Sequence, residues 1–254
     1  ECAVSDYWTG MVTKWFPKHE IRQMAMMFGS QETIHAVAYS YLNETLGLED
    51  YTAFLHEPSM ADKFDFLMST KAEYTDKDLL ESKDARKEVA RSLAIFSAFA
   101  EGVSLYSSFA VLYSFQMRNL LKGIGQQMKW SVRDESLHSK MGCRLFNHMC
   151  SEDETLREDV KESVYEAAKL IVGMEHNYID KIFEQGDIEN LKAYDLKNFI
   201  YRRTNEKLQE LGLDPIFEYD EKSADALDWF YHLTGGHTHT DFFAIRPTDY
   251  AKAG

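Results

Sequence analysis

The chain has 254 residues, 44% hydrophobic and 28% charged, a composition ordinary for a soluble globular protein of one large domain or two small ones. Its formal net charge of −14 argues against non-specific binding to nucleic acid or to an anionic membrane. Cys2, Cys143 and Cys150 are odd in number and form no CxxC pair, no signal-peptide pattern opens the chain, and no run of about 18 apolar residues occurs, so a cytoplasmic, disulfide-free protein is expected.

Only four prolines and thirteen glycines favour long helices. Pro17 stands where a helix could begin, and apolar residues recur with helical period from about Ile21 to Leu46. Part of Pro58–Tyr74 predicts a second helix. From Asp84 to about Leu121 the sequence reads as one very long helix, apolar nearly all round at its centre and therefore buried, with Gly123 and Gly125 breaking it. Further helices are expected over Gln126–Cys150, Glu152–Gln185 and Leu191–Leu211. Beyond Pro215 the chain becomes irregular and aromatic, as in a wrapping C-terminal segment. No alternating strand pattern is convincing, and no linker divides the sequence. The expected class is an all-α bundle, with residues 1–254 forming a single domain.

Two helices carry the same unusual pattern. In "QETIHAVAY", Glu32, His35 and Tyr39 are spaced i, i+3 and i+7 and share one face on an otherwise apolar background. In "RDESLHS", Glu135 and His138 repeat Glu-x-x-His. Two such motifs on two buried helices, completed by a Glu from each of two others, are what a carboxylate-bridged dimetal site uses. Glu101 is the one acidic residue in the apolar centre of the long helix, and Glu1 precedes Glu32 at a matching distance. The chain thus reads Glu-x30-Glu-x-x-His and then Glu-x33-Glu-x-x-His. Four carboxylates offset two divalent ions in formal charge, and oxygen-rich ligands with one imidazole per metal suit iron or manganese. A lone Glu-x-x-His is commonly coincidence, and a lone buried Glu could pair with an Arg; two motifs with two matched glutamates favour metal. Glu175 and His176 are adjacent and point about 100° apart on a helix, so they do not repeat the pattern. His237 and His239 are read as terminal-loop residues, and Met24, Met26 and Met27 as core filling.

With these residues in view, the sequence resembles the small, radical-generating subunit of class I ribonucleotide reductase. The resemblance rests on Glu1, "ETIHAVAY" at 32–39, "EGVSLYSSF" at 101–109, "RDESLH" at 133–138, and the closing "DPIFEY" and "DFFAIRPTDYAKAG". It implies a ferritin-like bundle in which Glu1, Glu32 and His35 bind one metal and Glu101, Glu135 and His138 the other. Two metal ions per chain are implied, iron first, with manganese or a mixed pair as alternatives. Tyr39 stands at the family's radical tyrosine, Asp134 at the aspartate that hydrogen-bonds a metal-bound His on the radical-transfer route, and Phe109 in the tyrosine's apolar pocket. The first ligand is Glu where many members have Asp. Leu105 and Ser131 stand where members often carry Phe and Ile, and a hydroxyl there would shorten a phenoxyl radical's life. Relative to the family, the chain lacks the preceding segment with its Trp and the C-terminal tail with its relay Tyr. Tyr250 resembles the Tyr at the end of the folded core.

The implied function is to generate, with O₂ or a reduced oxygen species, the oxidant with which a separate large subunit reduces ribonucleotides. The expected assembly is a homodimer, built on the apolar surplus of Val89–Leu121. The alternatives are a stand-alone dimetal oxidase or oxygenase and a ferritin-like iron store.

Overall fold

The computed structural model describes residues 2–48 and 58–235, and among them the regular secondary structure is helical, with one isolated bridge between Ile188 and Leu191. The opening helix was not expected from the sequence. It comprises α1 (Cys2–Asp6), a π-helical turn (Tyr7–Val12) and α2 (Thr13–Trp15), and it packs along α3 (His19–Thr45). Next come α4 (Pro58–Ser69), α5 (Asp76–Glu81) and α6 (Lys83–Ile95). Thr75 and Ser82 cap the last two with side-chain oxygens that accept backbone N–H groups, the role for which such residues are favoured at helix starts.

The expected long helix over 84–121 is interrupted. After Ile95 the chain passes through a π-helical turn (Phe96–Ala100) and a non-helical stretch at 101–105, and then enters α7 (Tyr106–Met117). Glu101 stands at the interruption. The second break also differs from expectation: Asn119 and Leu121 turn the chain at positive φ (62° and 47°), while Gly123 and Gly125 lie inside α8 (Lys122–Glu152). Asn accepts the left-handed region readily, whereas Leu is held there by its surroundings. The remaining helices are α9 (Leu156–Ile182), α10 (Ala193–Glu210) and two short ones, α11 (Glu221–Asp225) and α12 (Asp228–Gly235), in the region read as irregular and aromatic. No described helix is long and apolar enough to cross a membrane.

Helices α6, α7 and the π-turn between them run through the middle, against α8, α9 and α10, so their apolar all-round sequence is buried within this one chain. Most of the apolar surplus of Val89–Leu121 is therefore buried within the chain, while Met117, Leu120 and Leu121 at its end are exposed. On α3, Met27, Ile34, Val37 and Tyr41 are 61–70% exposed. Met26 is exposed with them and only Met24 packs on the core, so the reading of all three methionines as core filling fails for two. The α8 helix approaches the π-turn so closely that a Cβ on Gly142 would stand 1.9 Å from Ser97 Oγ. That approach brings α8's Glu135 and His138 up to Glu101.

A candidate metal centre between three helices

Three segments deliver charged side chains to one buried pocket: α3 gives Glu32 and His35, α8 gives Glu135 and His138, and the interruption before α7 gives Glu101. Ligand atoms of Glu32, Glu101, Glu135 and His138 all lie within 4.8 Å of one another. His35 completes the group, its Nδ1 3.0 Å from Glu135 Oε1 and 3.6 Å from Glu32 Oε2. His138 Nδ1 lies 2.9 Å from Glu32 Oε1, 3.6 Å from Glu135 Oε2 and 3.7 Å from Glu101 Oε2. Glu32 and Glu135 thus each turn one oxygen toward each imidazole. Glu1, the remaining ligand expected from the sequence, lies outside the described residues.

Both imidazoles face the pocket through Nδ1, and their outer nitrogens are fastened crosswise. His35 Nε2 stands 3.1 Å from Asp134 Oδ2, as expected of Asp134, and His138 Nε2 stands 2.9 Å from Gln31 Oε1. With each Nε2–H donated outward, the inner Nδ1 would turn a lone pair toward the pocket once its own proton leaves. Gln31 was not singled out from the sequence, although it precedes Glu32 as Asp134 precedes Glu135. Trp8 was also missed. Its Nε1–H donates to Glu101 Oε1 at 2.6 Å, and its ring, with Phe28 and Phe96, walls that side of the pocket. The only available signal was its place seven residues after Glu1, on the same helical face.

Burial and mutual repulsion govern protonation here. Burial, and next the charge of Glu135, push Glu101 well above the usual carboxylate range. Burial would raise Glu135 too, but hydrogen bonds to His138 and His35 outweigh it and hold Glu135 low. Burial opposes charge on the imidazoles, yet Asp134, Glu135 and Glu32 together push His35 up to about 12, and Glu101, Glu135 and Glu32 do the same for His138. Without metal the protons therefore reside on the two imidazoles and Glu101.

The donor set fits a metal pair. The buried Glu135 Oε2 and His138 Nδ1 face each other at 3.6 Å and make no hydrogen bond of good geometry, so donor atoms converge on the pocket without being satisfied by one another. Leaving such groups buried and uncompensated costs several kcal/mol.

Tyr39, one turn beyond His35, is half-buried with its ring centroid 6.4 Å from that imidazole. Its hydroxyl donates to Ser131 Oγ at 2.8 Å, so the hydroxyl expected near it is in contact. Phe109 is buried and Leu105 packs against the core. The excluded pair separates as expected: Glu175 is buried against Lys63 and Ser107, whereas His176 Nε2 lies 3.3 Å from Lys197 O. His237, His239 and Tyr250 lie outside the described residues.

Comparison with known proteins agrees with this geometry. Residues 1–224 match the family model for the ribonucleotide reductase small chain. The chain is 37% identical over 248 residues to a probable ribonucleoside-diphosphate reductase small subunit of Invertebrate iridescent virus 3, covering 94% of this chain and 65% of that protein. Its counterpart in Invertebrate iridescent virus 6 is 31% identical over 274 residues, covering 94% and 75%. Among solved structures, one from Bacillus halodurans assigned as a class I ribonucleotide reductase superposes with a TM-score of 0.72 at 18% identity, covering 90% of this chain and 80% of that one. The dimanganese(II)-NrdF of Streptococcus sanguinis superposes with a TM-score of 0.63 at 19% identity, covering 89% and 74%. The fold is accordingly a ferritin-like helical bundle, and the chain belongs to the ribonucleotide reductase small-chain family.

Proposed function

We propose that this chain generates and stores the oxidising equivalent with which a large subunit reduces ribonucleotides to deoxyribonucleotides. The observation that carries this reading is the convergence of two buried Glu-x-x-His motifs and Glu101 on one pocket, in a chain of this family. Glu32, His35 and, from its sequence position, Glu1 would hold one metal, and Glu101, Glu135 and His138 the other. Glu32 and Glu135, each facing both imidazoles, would span the pair. Two iron ions, or manganese in one or both places, would supply the oxidising power through reaction with O₂ or a reduced oxygen species.

The protein's own groups set the conditions for that chemistry. Asp134 and Gln31 fix which nitrogen of each imidazole faces inward. Asp134 is a third exposed at its side chain, so it links His35 to the surface, as a route toward a docked large subunit requires. Tyr39 is the store in this reading, its phenol oriented by Ser131. The sequence offers no Gly-rich phosphate loop, which leaves nucleotide binding to the partner. The exposed α3 residues suit a homodimer of two single-domain, cytoplasmic chains.

The test is Tyr39→Phe together with the unmodified protein, matured in cells and measured by metal analysis, electron paramagnetic resonance and turnover with the large subunit. Two metals per chain and the fold should survive in the variant, while the tyrosyl signal and turnover disappear. Turnover that survives in the Phe variant would move the oxidising equivalent from Tyr39 to the metals.

A further inference from the structure

We propose that Arg203 and Lys63 are positioning residues for Glu101: two cations that hold open the helix interruption from which this carboxylate reaches the pocket. The proposal deepens the metal-centre reading and rests on it. The interruption is a change of backbone pairing. Glu101 N–H bonds to Phe96 O at 3.1 Å and Ser104 N–H to Phe99 O at 2.9 Å, both five residues back, and Tyr106 N–H then tightens to Val103 O at 3.0 Å. An α-helix would give Tyr106 N–H to Gly102 O, so the Gly102 carbonyl leaves the ladder. Arg203 Nε–H, reaching across from α10, donates to it. Arg203 is buried with its guanidinium on the Tyr106 ring, Cζ 3.2 Å from the centroid, and Tyr106 OH pairs in turn with Ser136 Oγ at 2.8 Å, next to Glu135.

The second cation acts two residues further on. Lys63 of α4 donates to Ser104 O at 3.1 Å and stands 4.2 Å over the Tyr178 ring. It is paired with the buried Glu175, which also accepts from Ser107. These two groups thus anchor both sides of residue 103. Gly102 has no room for a side chain, because a Cβ would meet Ala98 O at 2.2 Å and Ser139 Oγ at 2.7 Å.

A buried carbonyl left without a donor costs about 1–3 kcal/mol, and bonds from charged donors are the stronger kind. Regular helix through 101–105 would satisfy these carbonyls internally and turn Glu101 away from His138. With the two cations in place the interrupted path keeps its carbonyls satisfied, and Glu101 stays aimed.

The experiment titrates Mn(II) into the full metal-free chain by electron paramagnetic resonance, alongside amide hydrogen exchange on the same protein. The variants are Arg203→Met, Arg203→Lys, and Lys63→Met paired with Glu175→Gln so that no buried charge is stranded. The unmodified chain should take two ions. Arg203→Met and the Lys63 double variant should keep one tight ion, weaken the other by about 10–100-fold, and exchange faster at residues 102–106, with Arg203→Lys recovering most of both. Equal weakening of both ions, or wild-type binding in either folded variant, overturns the proposal. Should Arg203→Met fail to fold, the Lys63 double variant decides by the same criteria. An unmodified chain that binds no pair of ions overturns the metal reading itself, and this proposal with it.

Discussion

The two Glu-x-x-His repeats perform the same local task in different surroundings. Each presents a Glu and a His to the pocket, and each lends the residue before its Glu to the other's imidazole: Gln31 serves His138 and Asp134 serves His35. The α3 repeat has a carboxylate behind its His, partial access to solvent through Asp134, and Tyr39 seven residues past its Glu. The α8 repeat has a neutral amide behind its fully buried His, and at the corresponding seventh position Gly142, where the side chains of Ser97 and Trp8 close in. One repeat is backed by a carboxylate and carries a phenol; the other is backed by a neutral amide and carries none. A near-symmetric set of candidate ligands is thereby given a direction.

The largest expected effect removes what the repeats share. Glu135→Ala takes away one of the two carboxylates that face both imidazoles, and metal analysis should fall from two ions per chain toward none. Full occupancy would show that the repeats bind independently. A smaller effect should separate them. Asp134→Asn and Gln31→Ala each loosen one outer nitrogen, at a typical cost of about 10–100-fold in metal affinity or activity. Only Asp134→Asn should also abolish turnover with the large subunit while a tyrosyl signal persists; equal loss of turnover in both variants would erase the assigned direction.

A third prediction concerns protons. His35 and His138 are both pushed up to about 12 without metal, hence charged at neutral pH, and metal uptake must discharge them. Mn(II) affinity should therefore climb between about pH 6 and about pH 8, with proton release visible by calorimetry in buffers of different ionisation enthalpy. A flat profile contradicts the protonation pattern. The smallest effect is Ser131→Ala, which should change stability by about 1 kcal/mol or less and lengthen the decay of a Tyr39 radical. An unchanged decay would relieve Ser131 of the role its contact suggests.

Much of the centre was legible because its information is local. Glu-x-x-His needs only helical spacing, and a carboxylate amid apolar residues stands out wherever the helix lies. The interruption at 101–105 was not legible. After Glu101 its residues are apolar or small and continue a helical pattern, and the carbonyls it frees are met by Arg203 and Lys63, which are distant in sequence. Trp8 and Gln31 were missed for a related reason, since the partners that give them meaning, Glu101 and His138, meet them only in the folded chain. Met26 and Met27 misled because α3 carries apolar residues on both its pocket side and its outer side, which blurs the contrast on which periodicity depends.

The two π-helical turns, Tyr7–Val12 and Phe96–Ala100, meet face to face, with the Tyr7 ring stacked on Phe96 at 3.5 Å. A π-turn is an α-turn with one residue added, so each works as a length gauge in the gene product. Loss of a single codon within 96–100 would return that turn to the ordinary ladder and rotate every downstream side chain by about 100°, Glu101 first among them. Conservative substitutions there leave the gauge intact. This centre is thus more vulnerable to one-residue insertions and deletions than to changes of residue type, and its lineage should hold spacing more strictly than identity along these two turns.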